Sequence, residues 1–236
     1  MNIASIRASL DDARCILKQA GVFKDYNKSR KLTLDVMKFS EEFIKNSQLE
    51  DYDLIHKTAM RNSDYDFLLN DDSFFQFSCV NEGGNLEKGI IRYAFYENPR
   101  VYPTYEEFLV LNGFSYEDCG EEFYMDFEQE IEEAKLKKNV TPIRYDYDHR
   151  FFKPVEHSIS HIHIGHNNDI RISTSTILNP AKFVSFVLRN VYPKIWNNAF
   201  MNDEAFKELC LSSRRSCHQV NENYFEDDEK GLLHII

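Results

Sequence analysis

The chain holds 236 residues, 42% apolar and 14% aromatic, so it can bury a core, and disorder as its main state is excluded. Lysine and arginine number 28 against 39 acids, a net charge of -11 that argues against coating nucleic acid or an anionic membrane. No apolar run approaches the roughly 18–20 residues of a membrane-spanning helix, the start MNIASIRASLDDARC lacks a signal-peptide pattern, and five irregularly spaced cysteines with no CxxC pair read as reduced thiols of a cytoplasmic protein.

Ile3, Ile6, Leu10, Ala13 and Leu17 recur at steps of three and four and predict a helix that Gly21 stops. A second helix is expected after Thr33, with Val36, Met37, Ser40, Phe43 and Ile44 on one face, and a third carrying Tyr52, Ile55 and Ala59. SFFQFSCV (73–80) and GIIRYAFYE (89–97) are aromatic and β-prone and flank the turn signal NEGGN (81–85), which together predict a hairpin ended by Pro99 and Pro103. Thr104 and Glu107 form a capping box for a short helix that Gly113 stops. One amphipathic helix is expected over 117–138, striped by Phe123, Phe127, Ile131 and Ala134. It is acidic from Glu117 to Glu133 and ends in Lys135, Lys137 and Lys138, where cations suit the helix dipole.

PIRYDYD (142–148), HSISHIHIG (157–165) and DIRIST (169–174) predict three further strands, the last two joined by the turn-forming loop Gly165 to Asp169. Asn179-Pro180 starts a helix with Phe183, Val184, Val187, Leu188 and Val191 inward, closed by Pro193. Residues 197–236 add one or two more helices and a polar tail. The expected fold is α+β: N-terminal helices followed by an antiparallel sheet of about five strands with helices packed on it. The expected parts are a helical 1–70, a core over 71–196 holding the histidine-rich strand, and a helical tail over 197–236, together forming one compact domain.

Five of the eight histidines lie between His149 and His166. Period-two alternation over 157–164 puts His157, Ile159, His161 and His163 on one face and Ser158, Ser160, Ile162 and Ile164 on the other. Clustered imidazoles are not core chemistry, because each needs two hydrogen-bond partners when buried. On the flanking strands Arg144 and Asp146 share one side with Asp148, Tyr145 and Tyr147 the other, and Arg171 falls with the histidines. Such a face, polar and mixed in charge, marks a functional site. From Lys135 to Arg171 seven Lys/Arg face four Asp/Glu, a local +3 that leaves -14 for the rest of the chain.

Three chemistries fit. His161 and His163 act as general acid and base while Arg144 and Arg171 hold a phosphate, the minimum for cleaving RNA without a metal or other cofactor. Alternatively the HxH pair binds a metal such as zinc, with His157 or a carboxylate as third ligand, although the nearby guanidinium groups oppose a cation. Alternatively the histidines tie strands together structurally. Cys210, Cys217 and His218 have poor metal spacing, and no Walker loop, GxGxxG, GxSxG or HExxH occurs. The acidic run over 117–138 reads as a solvated face or as a docking face for a basic partner.

RYDYD, HSISHIHIG, DIRIS and NPAKFVSFVLRNVYP resemble the C-terminal core of an uncharacterised bacterial family, domain of unknown function 2290, over most of the chain. More distantly, YAFYE, RYDYDH and HSISHIHIG resemble the hairpin, R-Y-D and histidine-rich end of small toxins from bacterial toxin–antitoxin pairs. Carried over by position, that resemblance marks Arg144, Tyr145, Asp146, His157, His161 and His163, although this chain is far longer and its histidine pair sits in a different local string. It implies a bacterial toxin or phage-defence effector; the Arg144, His161, His163 and Arg171 face adds the expectation that it acts on RNA or a nucleotide, with an antitoxin or ATPase as a protein partner. The alternatives are a non-enzymatic component of a defence or regulatory complex and a metal-dependent hydrolase.

Overall fold

The computed structural model describes residues 3–27, 39–82 and 85–232. In chain order these form α1 (Ile3–Gln19), β1 (Phe23–Tyr26), α2 (Glu41–Asn46), α3 (Tyr52–Arg61), β2 (Phe67–Leu69), β3 (Phe74–Glu82) and β4 (Asn85–Tyr96). They continue with α4 (Tyr105–Leu111), α5 (Tyr116–Cys119), α6 (Tyr124–Glu133), β5 (Ile143–Asp148), β6 (Ser160–Ile164), β7 (Arg171–Ser173) and β8 (Thr176–Ile177). The last elements are α7 (Pro180–Val191), α8 (Pro193–Asn202), α9 (Glu204–Arg215), β9 (His218–Gln219) and α10 (Asp227–Leu232).

The fold is α+β. Strands β1 to β7 form one antiparallel sheet in sequence order, and β8 pairs with β9 in a separate ribbon. The five expected strands are β3 to β7, and β1 and β2 extend the sheet beyond them. These two escape the pattern because they are only four and three residues long, with burial that does not alternate. Of the second helix expected after Thr33, the part up to residue 38 lies outside the described residues, as do Gly83 and Gly84 of the NEGGN turn.

One face of the sheet carries the main core. Phe75, Phe77, Tyr93, Phe95, Tyr145 and Ile162 meet Leu10, Ile16, Phe183, Val187 and Phe206 from α1, α7 and α9, so the core draws on all three segments of the sequence. Phe183 is fully buried against the rings of Phe75, Phe77 and Tyr93. Truncating such a residue costs about 3–5 kcal/mol. Helix α7 starts as expected, with the Asn179 side chain accepting from the Lys182 N–H and Pro180 in the first turn.

The other face is covered only in part. Helices α2 and α3 lay Phe43, Ile55 and Ala59 on Leu68 and Phe74, at the β2–β3 end. The β4–β7 half of that face is left to polar side chains. Helices α4 and α6 form a small separate cluster around Phe108, Leu109 and Phe127.

The single helix expected over 117–138 is two helices. Gly120 adopts φ 54° and ψ -123°, ending α5, and α6 stops at Glu133 because Ala134 is extended. Lys135, Lys137 and Lys138 are therefore not helical, and the carbonyls at the end of α6 are taken by Arg100 instead. Its guanidinium donates to the carbonyl oxygens of Ile131 and Glu132 at 3.1 and 2.7 Å. The tail holds α9 and α10, within the one or two helices expected, and α8 reaches into it from Pro193.

Candidate functional site

Antiparallel register turns the period-two pattern into rows across the sheet. One row runs Ser78, Arg92, Asp146, His161, Ser173, and the next runs Gln76, Ala94, Arg144, His163, Arg171. All ten lie on the face that α2 and α3 leave partly open. Arg144, Asp146, His161, His163 and Arg171 thus come together as the alternation predicted.

Two expected members do not join them. Tyr145 points into the main core with no exposure, and its hydroxyl accepts from the Leu178 N–H at 3.0 Å and lies 2.9 Å from Ser160 Oγ. His157 is not on the strand, which begins only at Ser160. It sits in the preceding turn, bridged to Lys153, with its ring 4.9 Å from that of His161. Ile159, expected beside the histidines, is fully buried in the core. The break comes at Ser158–Ser160, where the chain enters the sheet.

The centre is tight. His161 Nε2 and His163 Nε2 are 2.9 Å apart, and Asp146 Oδ2 lies 3.4 Å from His163 Nε2. One donor atom from each of Asp146, His161 and His163 falls within 4.8 Å of the others. The Ser158 carbonyl oxygen sits 2.7 Å from His161 Nδ1. A carbonyl can only accept, so Nδ1 carries the proton and the Nε2 lone pair faces the cluster. Asp146 Oδ1 is buried and accepts no hydrogen bond, and the buried His157 Nδ1 has no partner either.

The profile of the family described as "Uncharacterized conserved protein (DUF2290)" matches residues 18–236. The chain belongs to that family. No curated protein and no solved structure matches it. The family carries no activity to transfer, so the chemistry rests on the site.

Burial and the neighbouring His163 push His161 down to about 4, so this imidazole is neutral near pH 7. Burial pushes the Asp146 carboxyl up, but the hydrogen bond from His163 and the charge of Arg144 outweigh it and hold the carboxyl below its ordinary value. The centre therefore presents one carboxylate and, at His161 Nε2, a neutral imidazole lone pair, with His163 Nε2–H donating between them, a proton that a metal ion would have to displace.

The cations around it are organised by two carboxylates. Arg144 Nε donates to Asp146 Oδ2 at 2.8 Å, Arg150 grips Asp148 at 2.9 and 2.7 Å, and Arg92 lies within 3.8 and 3.5 Å of both acids. Arg171 has no ion pair among the described residues. Arg92 is missed at the sequence level, where Asp146 is placed on the face but no particular carboxylate is named beside the HxH pair. Arg92 interrupts the apolar run GIIRYAFYE at the right parity, so a signal existed. A cavity of about 430 Å³ runs from Phe43 and Ile44 of α2 to Arg92, Arg144 and Asp146. A second, of about 220 Å³, lies beside it between Arg144, His163 and Asn168. The site thus opens onto a cleft between the sheet and α2.

Proposed function

We propose that Asp146, His161 and His163 hold a divalent transition-metal ion, zinc or manganese, and that the site hydrolyses a phosphoester of RNA or of a nucleotide. The observation that carries this reading is the 2.9 Å approach of the two Nε2 atoms beside Asp146 Oδ2. Metal–nitrogen bonds of about 2.0–2.1 Å place two cis ligand atoms about 2.9–3.4 Å apart. The Ser158 carbonyl on His161 Nδ1 is the outer partner that a ligating histidine normally has. Three protein donors leave a coordination position for water, whose pKa the ion lowers toward neutrality. Arg144 and Arg171 flank His163 in the same row and supply the positive charge that a phosphate needs.

The same distance weighs against His161 and His163 as a metal-independent base and acid pair. A scissile phosphate has no room between nitrogens already in contact, and a neutral, hard-to-protonate His161 is a poor acid. In the cell we place this activity in a cytoplasmic toxin or phage-defence effector, on the resemblance of the RYD and histidine strings to small toxins.

The test starts from protein purified without a histidine tag. About one equivalent of zinc or manganese per chain is expected by elemental analysis. His161→Ala and His163→Ala should lose the metal and at least a hundredfold of oligoribonucleotide cleavage while keeping the parent circular dichroism. Chelation should abolish cleavage and metal should restore it. Cleavage that persists in metal-free protein and falls with His161→Ala returns the site to metal-independent chemistry. Growth arrest on expression, absent in the same variants, tests the cellular role.

A second reading has its own support. Residues 101–134 carry eleven acids and no Lys or Arg, and Val110, Leu111 and Met125 there are 70%, 75% and 81% exposed. This acidic, partly apolar outer cluster suits contact with a basic partner protein in a multi-protein complex. Reversing Glu128, Glu130 and Glu132 to lysine should release a co-purifying partner and leave metal content unchanged.

A further inference from the structure

A second candidate site lies on the opposite, helix-covered face, where the sheet runs out. Strand β7 is the sheet's edge and only three residues long, and beyond it the short β8–β9 ribbon, rather than an eighth strand of the sheet, stands beside α7. Between them is a cavity of about 720 Å³, walled by Ile162, Ile164 and Ile172 of the sheet and by Leu178 and Phe186. Its volume is that of a small-molecule site. Lys182 and Arg214 line it as well.

Lys182 is placed against ordinary preference, whereas Arg214 is exposed in the last turn of α9, where a cation is favoured. Lys182 lies in the first turn of α7, the positive end of the helix, and that turn contains no acid. Burial pulls its ammonium below the ordinary value, and Arg214 and Arg189 act in the same direction, outweighing the sulfurs of Cys217 and Cys210. Among the described residues no carboxylate forms an ion pair with Lys182, Arg189 or Arg214. A half-buried cation with like charges beside it and no counter-ion is costly unless a ligand brings one. The α7 backbone does not supply the site, because the N–H groups of Ala181, Lys182 and Phe183 already donate to Ser9 Oγ, Asn179 Oδ1 and the Asn179 carbonyl.

We infer that this cavity binds a small amphipathic anion, its phosphate or carboxylate head on Lys182 and Arg214 and its apolar body among Ile162, Ile172 and Phe186. The charge complementarity selects the head and the isoleucine wall selects the body. The inference is independent of the metal reading, since none of Asp146, His161 and His163 lines this cavity.

Calorimetric titration of the full chain with decyl phosphate, kept below its micelle concentration, should show one saturable site. Decanol and inorganic phosphate should each bind at least tenfold more weakly. Lys182→Met and Arg214→Gln should each weaken decyl phosphate at least tenfold and leave decanol unchanged. Ligand-free Lys182→Met should melt no lower than the parent, since it removes an uncompensated cation, which separates lost binding from lost fold. The inference is overturned if decyl phosphate binds no better than decanol, if inorganic phosphate alone binds as well, or if both variants bind decyl phosphate like the parent.

Discussion

Tyr145 and Asp146 are neighbours in the chain and serve opposite faces of one strand. The Asp146 carboxylate joins His161 and His163, while the Tyr145 hydroxyl holds the Leu178 N–H and meets Ser160 Oγ inside the core. Burial pushes the Tyr145 phenol well above its ordinary value, against the opposing effect of those hydrogen bonds, so it is neither an acid nor a base near neutrality. Tyr145→Phe leaves the Leu178 N–H without an acceptor, because Ser160 Oγ keeps partners in Thr174 and Thr176 and does not need the phenol. An orphaned buried donor costs about 1–3 kcal/mol. The expected outcome is a loss of that size in urea unfolding, with metal content and cleavage rate within twofold of the parent. A hundredfold loss of cleavage in a chain of parental stability would give Tyr145 the catalytic role that the toxin resemblance implies for it.

At the scale of elements, parity was legible and registration was not. Alternation alone sorts Arg144, Asp146, His161, His163 and Arg171 onto one face, because any strand alternates. That Asp146 stands opposite His161, and so joins His161 and His163 in one cluster, depends on how β5 pairs with β6, which no single strand encodes. The helix over 117–138 was misread for a similar reason. Its stripe through Phe127 and Ile131 does lie on one helix, but Gly120 at positive φ closes α5 ahead of it and the extended Ala134 ends α6 before the lysines. What holds the resulting acidic cluster to the body is Arg100, unremarked in the sequence. Its Nε and Nη2 donate to the two oxygens of Asp53 on α3, both at 3.1 Å, while Nη1 serves the end of α6. A two-pronged, largely buried clamp of this kind tolerates neither loss nor lysine. Arg100→Leu should destabilise the chain by about 2–4 kcal/mol, read from denaturant unfolding. Burial pushes the Asp53 carboxyl up, but Arg100, with Lys57, outweighs it and holds the carboxyl below its ordinary value. A lowered carboxylate adds stability above its unfolded pKa of about 3.9 and loses it as pH falls through the folded value. The parent should therefore lose stability below about pH 4 more steeply than Arg100→Leu does. Parallel pH profiles for the two would remove Asp53 as the source.

For the whole molecule, the net charge of -11 is an average over unlike surfaces. The acidic cluster over 101–134 contributes eleven negative charges and no Lys or Arg of its own, and from outside it Lys57 pairs with Glu132 at 3.5 Å. On the open sheet face, Arg92, Arg144, Arg150 and Arg171 stand against Asp146 and Asp148, a balance of two positive charges before any metal is bound. Much of the +3 that the sequence assigns to residues 135–171 is thus spent within the fold. Arg144 serves Asp146, Arg150 serves Asp148, and Lys137 reaches Glu97 at 2.7 Å. An RNA strand entering the cleft would therefore find few free cations and, beyond them, a repelling surface. About three arginine contacts, each releasing about 0.7 of a counterion from a single strand, give a slope of log affinity against log salt near -2. Binding of a short oligoribonucleotide to chelator-treated protein, followed from low to physiological salt, should show that slope with one strand per chain. Lengthening the strand should add no affinity, since the added phosphates meet acids. A much steeper slope, or several chains loading onto a long RNA, would mean that cations outside the cleft do the binding, and the site on β5 to β7 would then need a smaller anion than RNA as its substrate.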